Sequence, residues 1–272
     1  MKKLLCLALA LVMVLTFGAC SKGDGKKADT ADSNGEVAVI NDLDYIKENG
    51  KLVIGITDYA PMNFKDESGA WTGFDTEFAQ AVCAKLGVDA EFVEIEWDSK
   101  FIALKAKDID CIWNGMTISE DVLNNTDCSV PYVKNAQIVV MNKDKAAEYA
   151  SVEDMKELTF AVEASSAGAT AAEENGLENV VEVTAQTDAL LEVASGSSDA
   201  CIIDITMANS MTGEGTSYDS LTTVCELTSE EYGIGFRQGS DLTAEVNAII
   251  AELIADGTLA ALADKYELTL VQ

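Results

Sequence analysis

Apolar residues follow two patterns along this chain. From Leu4 to Phe17 they form one run broken only by Thr16, whereas beyond position 50 they come as short blocks between segments of helical spacing. Residues 51–57 (KLVIGIT) read as a strand after a glycine turn. Gly73-Phe74-Asp75 opens a helix with Asp75 as its N-cap, apolar positions at Phe78, Ala81, Val82 and Leu86, and Gly87 as its end. Residues 90–95 follow as a strand, 98–107 as a helix with Phe101, Ile102 and Leu104 inward, and 110–113 as a strand again. This alternation predicts a parallel α/β sheet.

The second half repeats the scheme. Residues 158–162, 180–183 and 199–203 read as strands, and 167–175 and 186–194 as the helices between them. The segments FIALKAKDIDCI and LLEVASGSSDACII place Cys111 and Cys201 at matching points, as two similar lobes would. Extended runs at 132–141 and 222–237 bracket the second lobe, so the chain is expected to cross between lobes twice. Helices at 245–255 and 258–266, broken at Gly257, close the chain. The expected fold class is therefore α/β, with two lobes, each built on a central, mostly parallel sheet and joined by two crossing strands.

The leading apolar run changes where the protein is expected to act. Lys2 and Lys3 precede it, and Gly18-Ala19-Cys20 follow it, the arrangement of a bacterial signal peptide (1–19) ending at a lipidation cysteine. The run is shorter than a membrane span. Residues 20–41 would then be the acylated (palmitate-bearing) Cys20 and a flexible tether, since 21–37 hold no aromatic residue. A plain signal peptide that happens to end at cysteine is the alternative. Acyl chains would anchor the protein to the outer face of the membrane, and no later run is long enough to cross it.

Charge narrows the partners. The chain carries a net charge of −29, and removal of 1–19 takes away two lysines and no acid. Nucleic acid and anionic lipid surfaces are poor partners on that balance. The acidity serves either as a solvated surface or as steering for cations. Cys83, Cys111, Cys128, Cys201 and Cys225 fit no zinc spacing, and the chain has no histidine, so they are expected to be buried thiols, with a single disulfide as the alternative. No cofactor or metal is expected.

Eight segments carry a resemblance. They are DYAPMNF at 58–64, GAWTGFDTEFAQAV, IEWDSKFIALKAKDIDCIWNGMTIS, PYVKNAQIVV, FAVEASSAG, SSDACIIDITMAN, YGIGFRQGSDL and NAIIAELIADGTLAALADKYEL, in this order. Together they resemble the polar amino-acid-binding family (family 3) of ABC-importer solute-binding proteins, with the type II periplasmic-binding fold. The resemblance implies one lobe at 42–135 plus 233–272, another at 136–232, and a ligand cleft between them at the strand C-terminal ends.

It also implies a site, residue by residue. Asn114, Gly115 and Thr117 match the strand-end loop that offers backbone groups and a hydroxyl. Ser165 and Ser166 match a helix start whose free N–H groups suit a carboxylate. Asp204 matches the acceptor for a ligand ammonium, or else caps the helix at 205–210. Tyr59 and Trp97 match the positions nearest the ligand side chain, joined by Phe64, by Trp113 if it faces the cleft rather than the core, and by Asp58 and Glu163. Met62 and Cys111 are expected to pack.

One position departs. The family has an arginine for the ligand carboxylate where Val122 stands here, five residues after Thr117. Arg237 is distal, which leaves Lys100 and Lys134 as the nearby cations. The ligand is then either a molecule without a free α-carboxylate or an amino acid held mainly by N–H groups. The implied function is an extracytoplasmic, monomeric solute-binding lipoprotein that delivers an amino acid or related amine to an ABC permease and its ATPase, with no catalysis. An enzyme on the same fold, of dehydratase or cell-wall lyase type, and a ligand-sensing module are the alternatives.

Overall fold

The computed structural model describes residues 40–272, so the expected signal peptide, Cys20 and the tether up to position 39 lie outside the described residues. Helix α1 (Asp42–Asn49) leads into β1 (Lys51–Ile56), followed by a hairpin of β2 (Phe64–Lys65) and β3 (Trp71–Thr72) that the apolar pattern did not show. Helix α2 (Phe74–Leu86) starts after Gly73, whose φ is 114°. A Cβ there would lie 2.3 Å from the Met62 carbonyl oxygen, so only glycine fits. Asp75 is not the cap. It sits one residue inside the helix, fully buried, and accepts from the Gly115 N–H at 2.6 Å and the Tyr132 hydroxyl at 3.0 Å.

Strand β4 (Asp89–Glu94) and a 3-10 turn at Trp97–Ser99 precede α3 (Lys100–Ala106). Ile102, expected inward, is 71% exposed, while Lys100 is only 3% exposed. One helix face holds positions four apart, here Lys100 and Leu104, and position 102 points the opposite way. A lysine therefore occupies the buried face. After β5 (Cys111–Thr117) come α4 (Glu120–Asn125), β6 (Asp127–Cys128) and β7 (Val133–Asn135).

The chain then enters a second sheet. It runs through β8 (Gln137–Asn142), α5 (Lys143–Ala146), β9 (Phe160–Glu163), α6 (Ala167–Glu174) and β10 (Val180–Val183). Next come α7 (Gln186–Ser195), β11 (Ala200–Asp204), α8 (Ile205–Met211) and β12 (Leu221–Glu226). Strand β13 (Glu230–Phe236) returns to the first sheet, against which α9 (Leu242–Ala255) and α10 (Thr258–Lys265) pack. No single helix among the described residues is long and apolar enough to cross a membrane.

The first sheet has the order β4-β1-β5-β13-β6, with β7 also on β13, and the second β10-β9-β11-β8-β12. Within them β1 is parallel to β4 and β5, and β9 is parallel to β10 and β11. Strands β13 and β8 run antiparallel to their neighbours, as direct crossings require. The chain changes sheet at Ala136 and again at residues 227–229. Glu230, Glu231 and Tyr232, expected with the second lobe, pair with β7 in the first sheet. The reason is packing: Tyr232 is fully buried against Tyr132 at 6.4 Å between ring centroids. Trp113 is core as well, edge-on to Phe78 at 4.9 Å and fully buried.

Candidate functional site

Between the two sheets, at the C-terminal ends of β5, β9 and β11, lies a small polar cavity of about 60 Å³. Larger concavities of about 940 and 700 Å³ open elsewhere, but they are shallow surface features. The small cavity gathers Lys100 and Asp121 from the first lobe and Glu163 and Asp204 from the second. Tyr59, Trp97, Asn114, Gly115 and Thr117 line it from the first lobe, and Ser165, Ser166 and Asp204 from the second. Phe64 does not. The β2–β3 hairpin carries it to a separate concavity beside Pro61, Thr206 and Asn209. Asp58 is exposed and also lies outside.

Local bonding decides what each group can offer. Gly115 has a φ of 55°, and a Cβ there would come 2.6 Å from the Tyr59 ring, so the backbone and the ring approach closely only because this residue is glycine. Its N–H is committed to Asp75. The Thr117 hydroxyl donates to Glu230 at 2.8 Å, and Asn114 is held by Thr57 at 2.6 and 3.0 Å. Ser166 caps α6, accepting from the Ala169 N–H at 3.2 Å. The Ala167 N–H, at the first turn of that helix, makes no hydrogen bond within the described residues.

Asp204 anchors the second lobe's wall. It stands before α8, yet its side chain does not cap that helix. It accepts instead from Gln137 at 2.9 Å, from Tyr232 at 2.8 Å, and from Asn135 and Gln186. Asn135 and Gln137 also donate to Glu230, at 2.6 and 2.8 Å. These residues flank both crossing points, so the carboxylate is tied directly to the hinge. Burial, and then the Glu230 charge, push the Asp204 carboxyl up to about 7. Glu163, 4% exposed at the end of β9, is pushed by burial and by Asp204 up to about 8.

Several lining residues carried no sequence signal of their own, notably Thr57, Asp121, Thr170 and Gln186. Lys100 lines the cavity and Lys134 does not. Val122 lines it too, 4% exposed and packed with Trp97, Leu104 and Met116. Across the cleft the lobes touch through the Tyr59 hydroxyl on Thr206 at 2.6 Å and the Lys100 ammonium on the Ser165 carbonyl at 3.0 Å. Ligand pockets usually exceed about 300 Å³, so a solute of amino-acid size enters by parting the lobes.

The buried acids set a pH dependence. Asp75 is pushed by burial up to about 7, alongside Asp204 and Glu163. Each binds its proton more tightly folded than unfolded. Stability of the ligand-free protein therefore falls as pH rises from the ordinary carboxylate range through these values, and levels off above them. Melting temperatures are expected to decline from about pH 5 to about pH 8. A rise across that window would contradict the assignment.

Comparison with known proteins agrees with this geometry. The profile for "Bacterial extracellular solute-binding proteins, family 3" matches residues 52–269. The chain is similar to L-cystine-binding protein TcyJ of Escherichia coli (strain K12), at 32% identity over 82% of this chain and 85% of that one. It is similar to arginine-binding extracellular protein ArtP of Bacillus subtilis (strain 168), at 31% identity over 79% and 86%. Among solved structures it resembles the ancestral amino acid-binding protein AncCDT-1, a precursor of cyclohexadienyl dehydratase. That match has a TM-score of 0.76 at 32% identity and covers 83% of this chain and 99% of that one. A profile match over most of the chain, on a two-lobed fold with a polar cleft at its strand ends, places the protein among the bacterial extracellular solute-binding proteins of family 3.

Proposed function

We propose that this protein binds an amino acid in the interlobe cleft and delivers it to an ABC permease, tethered to the membrane through lipidated Cys20. The observation that carries the ligand reading is the buried Asp204 carboxylate, facing a cleft whose lining also includes the acids Glu163 and Asp121. Such a wall favours an ammonium, and relatives named for cystine and arginine binding support an amino acid. Ligand touching both walls favours the closed form, because only that form makes both sets of contacts. The cleft contacts proposed are Tyr59, Trp97, Asn114, Gly115, Thr117, Ser165, Ser166 and Asp204, with Glu163 added and Phe64 left out.

Equilibrium titration with each common amino acid and its deaminated analogue tests this. Saturable binding that disappears with the amine is expected; equal binding of the deaminated analogue would overturn it. Cys20→Ala is expected to move the protein from the membrane to the soluble fraction, and continued membrane association would sink the anchor. A second reading, dehydration, draws on Glu163, whose carboxyl stays protonated at neutral pH and could serve as a general acid. Turnover of prephenate or arogenate by the purified protein would favour it.

A further inference from the structure

An amino acid is a zwitterion, so an acid-lined cleft answers only half of it. Among the residues lining the cavity Lys100 is the one cation. It reaches the site from α3, the helix whose spacing buries it, and not from α4, where Val122 stands.

Its surroundings leave the charge unmatched. Lys100 is 3% exposed and makes no ion pair among the described residues. Its ammonium donates to the Trp97 carbonyl at 3.2 Å and the Ser165 carbonyl at 3.0 Å. An ammonium has three donors, so one remains. The rings of Trp97 and Phe101 lie 4.8 Å from it, which holds the charge in place without neutralising it. Asp98, Asp121 and Glu163 are near enough to be felt, yet none is in contact. Burying a charge without a close partner is costly, which favours an anion at this point.

The neighbouring wall is shaped for the same anion. Ser165 adopts a left-handed backbone with φ of 57°, uncommon for any residue but glycine. It brings its carbonyl to Lys100 just ahead of α6, where the Ala167 N–H is free within the described residues. Cation and N–H thus come from opposite lobes, joined by the contact of Lys100 with the Ser165 carbonyl.

We propose that Lys100 is the carboxylate anchor of the cleft, supplying from α3 the charge that an arginine at position 122 would supply from α4. The proposal rests on the amino-acid reading above. It makes the ligand an α-amino acid with a free carboxylate, not an amine lacking one.

The test takes the amino acid that the wild-type protein binds most tightly, together with its α-carboxamide. Wild type is expected to favour the acid by about 10- to 100-fold. Lys100→Met keeps the apolar stem beside Trp97. It is expected to weaken the acid by that factor and to leave the amide within about twofold. In a Lys100→Met background, Val122→Arg is expected to restore preference for the acid. Equal weakening of acid and amide would overturn the anchor, assigning Lys100 to packing or to a latch between lobes. Equal wild-type affinity for acid and amide would overturn it without any variant. Silence of the folded wild type towards every amino acid would overturn the amino-acid reading and the anchor with it.

Discussion

Asp204→Asn is expected to weaken amino-acid binding by about 100-fold or more while shifting the melting temperature little. In the folded protein Asp204 is surrounded by neutral donors only, from Asn135, Gln137, Gln186 and Tyr232. The ligand ammonium would be the first full positive charge to meet it. Truncating one partner of a buried charge pair costs roughly 2–5 kcal/mol of affinity, which is the basis of the expected factor. Stability is less affected because two effects oppose. The amide removes a desolvated carboxylate that already resists ionisation, but it turns an N–H towards other donors. An affinity change below about tenfold would place the ligand's amine elsewhere.

The largest effect on stability is expected far from the cleft. Arg237 is the chain's one arginine, 5% exposed, and donates to Asp42 at 2.9 Å and Asp110 at 3.0 Å. It also reaches the Ile109 carbonyl at 2.7 Å and the Leu104 carbonyl at 3.3 Å. This network ties α1 and the ends of α3 and β5 to β13. Arg237→Met leaves buried Asp110 without its cation and Asp42 with only Lys107 at 3.5 Å, and the usual loss on breaking a buried pair is about 3–5 kcal/mol. Denaturant melts at neutral pH should show it. Burial alone would raise Asp42, but hydrogen bonds from Arg237 and Ser240 and the charges of Arg237 and Lys107 outweigh it and lower its pKa. A lowered folded pKa contributes stability above the ordinary carboxylate range that is lost as pH falls. The gap between variant and wild type should therefore narrow in acid, and a gap that persists unchanged would contradict this origin.

How much of this could be read from the chain varies by residue. Alternating apolar blocks announce β1, α2, β4 and β5 well, because a half-buried sheet and an amphipathic helix impose different periods. The β2–β3 hairpin has strands of only two residues, too short to leave a period. That hairpin decides where Phe64 points, so its placement in the cleft failed with it. Asp75 looked like a cap because Asp is common there, while its burial depends on contacts with Gly115 and Tyr132 from distant segments.

Lys100 is the instructive case. A lysine at a buried helical position reads as a break in the pattern, and Ile102 beside it invites the wrong face. Only the carbonyls of Trp97 and Ser165, one from each lobe, give that break a meaning. The absence of an arginine at Val122 was plain in the sequence. Which of Lys100 and Lys134 stands near it was not.

The most direct measurement is a calorimetric titration of the purified protein and its Asp204→Asn variant with the common amino acids at neutral pH. One-to-one saturable binding of at least one of them to the wild type, lost or severely weakened in the folded variant, is the expected result. A folded wild type that binds none of them, or a variant that binds as tightly as wild type, would contradict an amino-acid site built on Asp204.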